Sequence, residues 1–293
     1  MVVRFHHAQP IINQSIKFKI MRKVYFYNSI GAFANDVNNA KTSKLFVNGR
    51  GDDLSSQEID DSGWHGTRNY EDADKLLIEG DHLSAEKIRE SGIIRSPKRT
   101  DANRPIPTTS RVGYMVHIPN YLRGLPNNMI ADKQVIQKQK VITIVVAEAV
   151  NCGWSATELA EVNAKIVTAI RMIESGGIRC NLYTIFGSSD EGEEIGALIK
   201  IKDSGKYLSI EKMAYAMVNP SFFRRHFFRF LETRPELTKG WVWGYGRPAD
   251  VSLCKKMLKD ENLKYHYLCH VGDLKDYSPE DIKKMFEEGN YTE

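Results

Sequence analysis

The sequence predicts an α/β protein: a mostly parallel sheet with helices on both faces, preceded by a small helix-rich region. Residues 141–146 form a β-branched run, which is typical of a strand that is buried on both sides. An amphipathic helix and a second strand, residues 179–186, follow this run. A right-handed crossover through the helix makes two such strands parallel. Strands and helices then alternate through residues 112–289, which favours a layered α/β domain.

The helix of this central unit has clear start and stop signals. Ser155 and Glu158 have the spacing of a capping box, so the helix is expected to begin near Ser155. Gly176 and Gly177 end it, because glycine tolerates the left-handed conformation at a helix C-terminus. Between these limits one apolar stripe recurs at three- and four-residue spacing. Its members are Leu159, Val162, Ile166, Ala169, Ile170 and Ile173.

Three regions are expected along the chain. Residues 1–22 are interpreted as an N-terminal arm, with a start at Met21 instead of Met1 as an alternative. Residues 23–111 are interpreted as a small helix-rich region with polar loops, because helical patterns alternate there with stretches rich in Gly, Asp, Ser and Pro. Residues 112–293 form the predicted α/β domain.

Composition points to an ordinary cytoplasmic protein. The chain has 41 basic and 37 acidic residues and a formal charge of +4, which is too small to indicate a polyanionic partner by itself. Its four cysteines are dispersed, so we expect reduced thiols and neither a zinc module nor a disulfide framework. No apolar run approaches the ~18 residues of a membrane span, and the N-terminus lacks the apolar core of a secretory signal. We therefore expect a soluble protein without membrane contact.

The loop after the first central strand, residues 148–153, is where an α/β protein usually keeps its site. It contains neither a glycine-rich phosphate loop nor a cluster of carboxylates and hydroxyls, and the sequence has no nucleophile elbow, Walker motif or Rossmann motif. We therefore predict no cofactor, no metal ion and no catalytic set. An enzyme whose groups converge only in three dimensions is the alternative, with Glu148, His117 or Arg247 as candidates.

The strand ends predict a binding surface. Open sheets bind ligands beyond the carboxyl ends of their strands, so residues 148–154, 188–194 and 244–247 are expected to share one edge. The candidate binding residues in and beside these segments are Glu148, Asn151, Ser155, Ser188 and Arg247.

A turn at residues 64–67, Trp-His-Gly-Thr, is a further candidate. Histidine is a versatile proton carrier, and the neighbouring glycines permit close approach of a ligand to the backbone. The favoured interpretation is simpler: a loop that leads into a helix, with Trp64 buried.

Residues 222–230 combine arginines with aromatic side chains, as nucleic-acid surfaces do. On an α-helix the aromatic residues share one face, and Arg225 and Arg229 lie opposite. The favoured interpretation is a solvated face. The alternative is a nucleic-acid interface through Arg224, Arg225 and Arg229, with weak and nonspecific association.

The order of elements over residues 112–289 resembles the von Willebrand factor A-type domain, which has Rossmann-type layering. In that family the first strand ends in Asp-x-Ser-x-Ser, and a later Thr and Asp complete a Mg²⁺ site for a partner's carboxylate. The matching stretch here, residues 148–152, reads Glu-Ala-Val-Asn-Cys, and residues 244–247 contain no carboxylate. The resemblance therefore implies an A-type scaffold without the metal site.

Residues 63–81, residues 113–130 and the central strand-helix-strand unit together resemble a family encoded in bacteriophage genomes and related mobile elements. This resemblance implies a phage or prophage gene product that acts in the host cytoplasm or the virion. The expected function is a non-enzymatic binding or assembly module. Its partner would be a phage structural protein or a host protein, and the oligomeric state is left open.

Overall fold

The computed structural model has a mixed α/β architecture around one central sheet. The residues that it describes are 21–43, 45–47, 50–52, 62–91, 106–133, 140–206, 210–238, 241 and 244–289. In chain order the strands are β1 (Met21–Tyr27), β2 (Leu45–Val47), β3 (Arg50–Asp52), β4 (Ile106–Ser110), β5 (Met115–Val116), β6 (Met129–Lys133), β7 (Val141–Ala147), β8 (Arg179–Asp190), β9 (Glu193–Lys202), β10 (Arg247–Pro248) and β11 (Tyr267–His270).

The helices are mostly short. They are α1 (Ile30–Asn39), α2 (Ser62–His65), α3 (Tyr70–Glu79), α4 (His82–Ser91), α5 (Ile118–Leu122), α6 (Ala156–Ser175), α7 (Ile210–Val218), α8 (Phe228–Glu232), α9 (Pro235–Thr238), α10 (Val251–Asp260) and α11 (Pro279–Glu288). A π-helix, Phe222–Phe227, and a 3₁₀ helix, Val271–Leu274, complete the set. In the described part of the chain, no helix is both long enough and apolar enough to cross a membrane.

The central sheet has the strand order β1-β9-β8-β7-β11, and β10 also pairs with β8. The pairs β1 with β9, β7 with β8 and β7 with β11 are parallel. The pairs β8 with β9 and β8 with β10 are antiparallel. The predicted α/β class with a mostly parallel sheet is therefore confirmed. The sheet differs from a purely parallel one in the two antiparallel pairs of β8.

The central unit β7-α6-β8 forms as its local signals predict. The Ser155 hydroxyl accepts a hydrogen bond from the Glu158 backbone N–H at 3.2 Å, and the Glu158 carboxylate accepts one from the Ser155 N–H at 3.0 Å. Gly177 has φ +93°, which is the left-handed conformation expected after the helix. Strand β8 runs further than predicted, to Asp190. A tight hairpin turn then leads directly into β9.

Helices cover both faces of the sheet. Side chains alternate along β7, so Ile144 and Val146 face the layer that contains α6, α7 and α11, while Val145 faces α10. The first layer is the larger, and its core also includes the aromatic side chains of the π-helix. The predicted covering of both faces is thus present.

The N-terminal region contributes to the same sheet and core. Strand β1 forms the edge next to β9, and the Arg22 guanidinium pairs with Glu194 at 2.6 Å across this edge. Phe33 of α1 and Leu77 of α3 belong to the large core. The boundary at residue 111 stays a prediction, but both the sheet and the core extend across it. Most of the predicted arm, residues 1–20, lies outside the described residues.

Residues 106–133 form a separate small unit, which we call the wing. In it, β6 lies between β4 and β5 in an antiparallel sheet, and α5 connects β5 to β6. Gly113 approaches β6 so closely that a Cβ there would lie 2.0 Å from the Ile130 carbonyl oxygen. No side chain of residues 107–132 is buried.

Candidate functional site at the strand ends

A pocket of about 660 Å³ lies where β7 and β8 end. We call it the strand-end pocket. Three of its walls come from the segments that follow β7, end β8 and surround β10, namely residues 150–152, 187–188 and 244–248. The fourth combines residues 64–65 with Phe223 and Phe227 of the π-helix and Phe228 of α8. The predicted edge of the sheet therefore carries a concave site, and its volume lies in the range of ligand pockets.

Aromatic rings form the main wall of the strand-end pocket. The rings of Phe228 and Tyr245 stack with centroids 3.9 Å apart and planes 8° apart. Phe223 meets Phe228 edge to face at 5.4 Å. The Tyr245 hydroxyl donates a hydrogen bond to Glu232 Oε1 at 2.5 Å, and the Ser188 hydroxyl donates to the Tyr245 carbonyl oxygen. This wall is therefore apolar, and hydrogen bonds at the hydroxyl and at the backbone carbonyl of Tyr245 hold it in place.

The rim of the strand-end pocket is polar. Asn151, Cys152 and Arg247 are exposed, and among the described lining residues Arg247 alone carries a full positive charge. Trp64 Nε1 donates a hydrogen bond to the Cys152 carbonyl oxygen at 2.9 Å, which ties two walls together. None of the described residues that line the pocket is acidic. The site therefore suits an apolar group that carries a negative charge beside it.

Arg224 joins α2, which lines the pocket, to the loop that precedes α6. Its side chain is fully buried, and its guanidinium donates hydrogen bonds to the carbonyl oxygens of Trp64 and, at 2.7 Å, of Trp154. The guanidinium carbon also lies 4.2 Å from the centre of the Trp64 ring, a cation–π contact. Helix α2 and the loop before α6 are thus connected through one side chain of the π-helix.

The turn at residues 64–67 packs onto the same helix. Arg225 donates hydrogen bonds to the carbonyl oxygens of Thr67 at 3.1 Å and Arg68 at 2.8 Å. Gly66 has φ +82°, and a Cβ there would lie 2.9 Å from Asn219 Oδ1. Glycine is therefore required at this close approach. The predicted loop with a buried Trp64 is therefore corrected: Trp64 and His65 end helix α2 and line the pocket, and Trp64 is partly buried.

The interpretation of residues 222–230 as a solvated face is wrong. Arg224 and Arg225 are fully buried, and Arg229 is partly buried with its guanidinium 4.4 Å from the centre of the Tyr70 ring. The reason is the π-helix, whose wider turn shifts residues away from the faces that an α-helical projection assigns. A nucleic-acid interface requires exposed arginines, and Arg224 and Arg225 are buried. These two residues therefore cannot form the predicted interface.

Glu148 lies under the site and does not line it. The residue is buried, and its Oε1 has no hydrogen-bond partner among the described residues. Burial raises the pKa of the Glu148 carboxyl well above its ordinary value, and the Thr184 hydroxyl opposes this only in part. His117 lies in the wing, where its Nδ1 accepts a hydrogen bond from the Asn120 N–H at 3.3 Å. The three acid–base candidates are therefore not assembled into the strand-end pocket.

Three of the five candidate binding residues line the strand-end pocket: Asn151, Ser188 and Arg247. Ser155 instead caps α6, and Glu148 is buried beneath the strand end. The sequence interpretation missed the contribution of the π-helix aromatics. The alternation of these aromatic residues with arginines could have indicated a shared site. An α-helical projection instead assigns the aromatic residues to the core and the arginines to solvent.

The cysteines offer a direct check of accessibility at the rim. Cys152 is exposed and the other three cysteines are buried. Burial raises the pKa of both Cys180 and Cys254 to about 12, and it also raises the pKa of Cys269. We expect native protein at neutral pH to take up one equivalent of N-ethylmaleimide rapidly, at Cys152, because thiolates react and buried thiols do not. Mass spectrometry of intact protein measures this.

The matched control is Cys152→Ala, which should take up no reagent until it is denatured. Modification of two or more thiols in the native wild-type protein would contradict the burial of the other cysteines.

The described residues contain no group of three or more His, Cys, Asp or Glu side chains that could hold a metal ion. The chain is an α/β protein with a mixed central sheet and an aromatic pocket beyond the ends of its central strands. The chain belongs to the DUF7192 family, which is described as a domain of unknown function and whose model matches residues 12–293. Searches of curated proteins and of solved structures gave no match.

Proposed function

We propose that the protein is a non-enzymatic binding or assembly module whose strand-end pocket receives an apolar segment of a protein partner. The observation that carries the proposal is the aromatic wall around a space of about 660 Å³. A space of this size admits one or two bulky side chains. Such buried anchors supply much of the binding energy of protein interfaces.

The rim chemistry narrows the partner segment. Arg247 is exposed beside the aromatic wall, and none of the described lining residues carries a negative charge. We infer that the segment has an aromatic or large aliphatic residue with an acidic residue close to it. Asn151 at the rim can donate to and accept from the backbone of such a segment. The apolar side chain of the segment would provide affinity in the pocket, and its acidic residue would orient the segment by pairing with Arg247.

An enzyme is the second candidate because Cys152 and His65 both line the strand-end pocket. A thiol and an imidazole are the groups of a nucleophile and its base. No acidic side chain of the described lining is available to orient the imidazole, and the wall is mostly aromatic. Binding accounts for more of the lining than catalysis does.

The scaffold and the biological setting are further parts of the proposal. We propose a degenerate von Willebrand factor A-like scaffold, supported by the β7-α6-β8 crossover with the antiparallel strand β9 next to it. We also propose a phage or mobile-element origin, with action in the host cytoplasm or the virion, on the sequence resemblance alone. Mass spectrometry of purified particles and inspection of neighbouring genes test this setting.

Filling the rim of the strand-end pocket should weaken partner binding. We expect Cys152→Trp to occupy the rim of the pocket without a cost in folding, because residue 152 is exposed. The probe is a displayed library of random peptides, selected on the wild-type protein. Selected peptides should carry an aromatic or large aliphatic residue next to an acidic one. Calorimetry should show that their binding is at least about tenfold weaker with Cys152→Trp, which corresponds to ~1.4 kcal/mol.

The matched control is Cys152→Ala, which should bind the selected peptides as the wild type does. Peptides that bind Cys152→Trp and the wild type equally would contradict the proposal. Covalent change or cleavage of a bound peptide, seen by mass spectrometry, would instead favour the enzyme.

A further inference from the structure

The wing exposes an unusual amount of apolar surface. Between residues 112 and 125 its large apolar side chains are 42–80% exposed. These residues are Val112, Tyr114, Met115, Val116, Ile118, Tyr121, Leu122 and Leu125. Together these residues, backbone and Tyr hydroxyls included, expose on the order of 900 Å² within one short segment, whereas the largest apolar patch on a typical monomer is roughly 300–600 Å². An exposed patch of this size marks an interaction surface.

The wing also lacks a core of its own. Residues 107–132 contain no buried side chain, although they form a regular three-stranded sheet and a short helix. A small sheet needs a packed hydrophobic face for stability in water. The wing therefore needs to be covered by another surface if it is to keep this structure.

We propose that the wing is covered by the wing of a second copy of this chain, in a symmetric dimer. The exposed area of about 900 Å² is close to the ~800 Å² that each partner contributes to a standard interface. A twofold axis places the same patch on both subunits, and an apolar surface is complementary to itself. This inference concerns a different surface from the strand-end pocket and does not depend on the function proposed for it.

The charge of the patch favours a second copy over other partners. Within residues 112–125, Arg123 is the one side chain with a full charge at neutral pH. A charged protein surface or a nucleic acid would find little complement in Arg123 and the neighbouring Arg111. Surfaces that bind membranes usually combine apolar residues with several lysines or arginines, and one arginine provides little attraction to anionic lipid.

The test is the association state of the full chain as a function of concentration. We expect sedimentation equilibrium to show a dimer of the wild type at micromolar concentration. Leu122→Asp, at a side chain that is 77% exposed, should weaken dimerisation by about tenfold or more. Leu83→Asp is the matched control, because Leu83 is 75% exposed on α4, outside the wing, and should leave dimerisation unchanged.

Each other outcome overturns the proposal. A wild-type monomer throughout the concentration range would show that the patch is covered by the chain itself or by another partner. Dimerisation that Leu122→Asp leaves unchanged would place the interface elsewhere. Flotation of the wild type with anionic phosphatidylserine vesicles, lost in Leu122→Asp, would assign the patch to a lipid surface. Because both variants change exposed side chains, circular dichroism should show that each retains the wild-type fold.

Discussion

Replacing Arg224 with methionine is expected to lower the free energy of unfolding by about 3 kcal/mol, because two carbonyl oxygens lose a charged hydrogen-bond donor. These are the oxygens of Trp64, in α2, and of Trp154, in the loop before α6, and both segments border the strand-end pocket. Methionine fills a similar volume but donates no hydrogen bond. The two segments are then no longer held together, so peptide binding should weaken as well. Urea denaturation and calorimetry measure the two effects.

Two further variants separate the causes. Arg224→Lys keeps a positive charge but loses the planar fork that reaches two carbonyls, so its stability should lie between those of wild type and Arg224→Met. Arg247→Met changes an exposed arginine at the rim, so it should weaken peptide binding and leave the urea midpoint unchanged. Equal stability of Arg224→Met and wild type would show that Arg224 does not hold the two segments.

Replacing Glu148 with glutamine is expected to stabilise the protein at neutral and alkaline pH. Burial raises the pKa of the Glu148 carboxyl in the folded state, so the folded protein keeps a proton that the unfolded chain releases. Below the unfolded pKa of about 4.3 the carboxyl is neutral in both states and this contribution to stability is fully present. As pH rises towards the folded pKa, the wild type loses up to ~1.4 kcal/mol per pH unit. Glutamine stays neutral and removes this loss.

The measurement is urea denaturation of both proteins over a range from mildly acidic to mildly alkaline pH. The advantage of Glu148→Gln should be small at the acidic end and should grow as pH rises. Glu86→Gln, at an exposed position of α4, is the matched control and should follow the wild type. A stability difference that does not change with pH would mean that Glu148 is ionised in the folded protein.

The parts of the fold that could be predicted depend on local signals. The capping box at Ser155 and the β-branched run of β7 lie within a few residues of the structure that they specify. The alternation of apolar and polar residues over 197–202 favours an exposed or edge strand, but β9, which contains these residues, lies between β8 and β1. Nothing near β1 indicates this pairing, since its partner is more than half the chain away.

The strand-end pocket could be predicted only in part, for a related reason. The rule that sites lie at strand ends identified Asn151, Ser188 and Arg247, because it depends on the order of elements alone. The aromatic wall depends on a π-helix, whose register no α-helical projection reproduces. The hydrogen bond from Arg224 to Trp64 joins residues 160 positions apart, and a single sequence contains no trace of such a contact.

The pairing of β1 with β9 also fixes an order of assembly. Arg22 and Glu194 are 172 residues apart in the chain, and they meet across this edge. At about 5–20 residues per second, a ribosome completes β9 roughly 10–30 s after it has made β1. Loop closure over such a span is unfavourable until β7, β8 and β9 form a template. Strand β1 therefore cannot pair with its neighbour in the sheet until β9 has been made, and its apolar residues lack that partner while the template is synthesised; β10 and β11 are made later still.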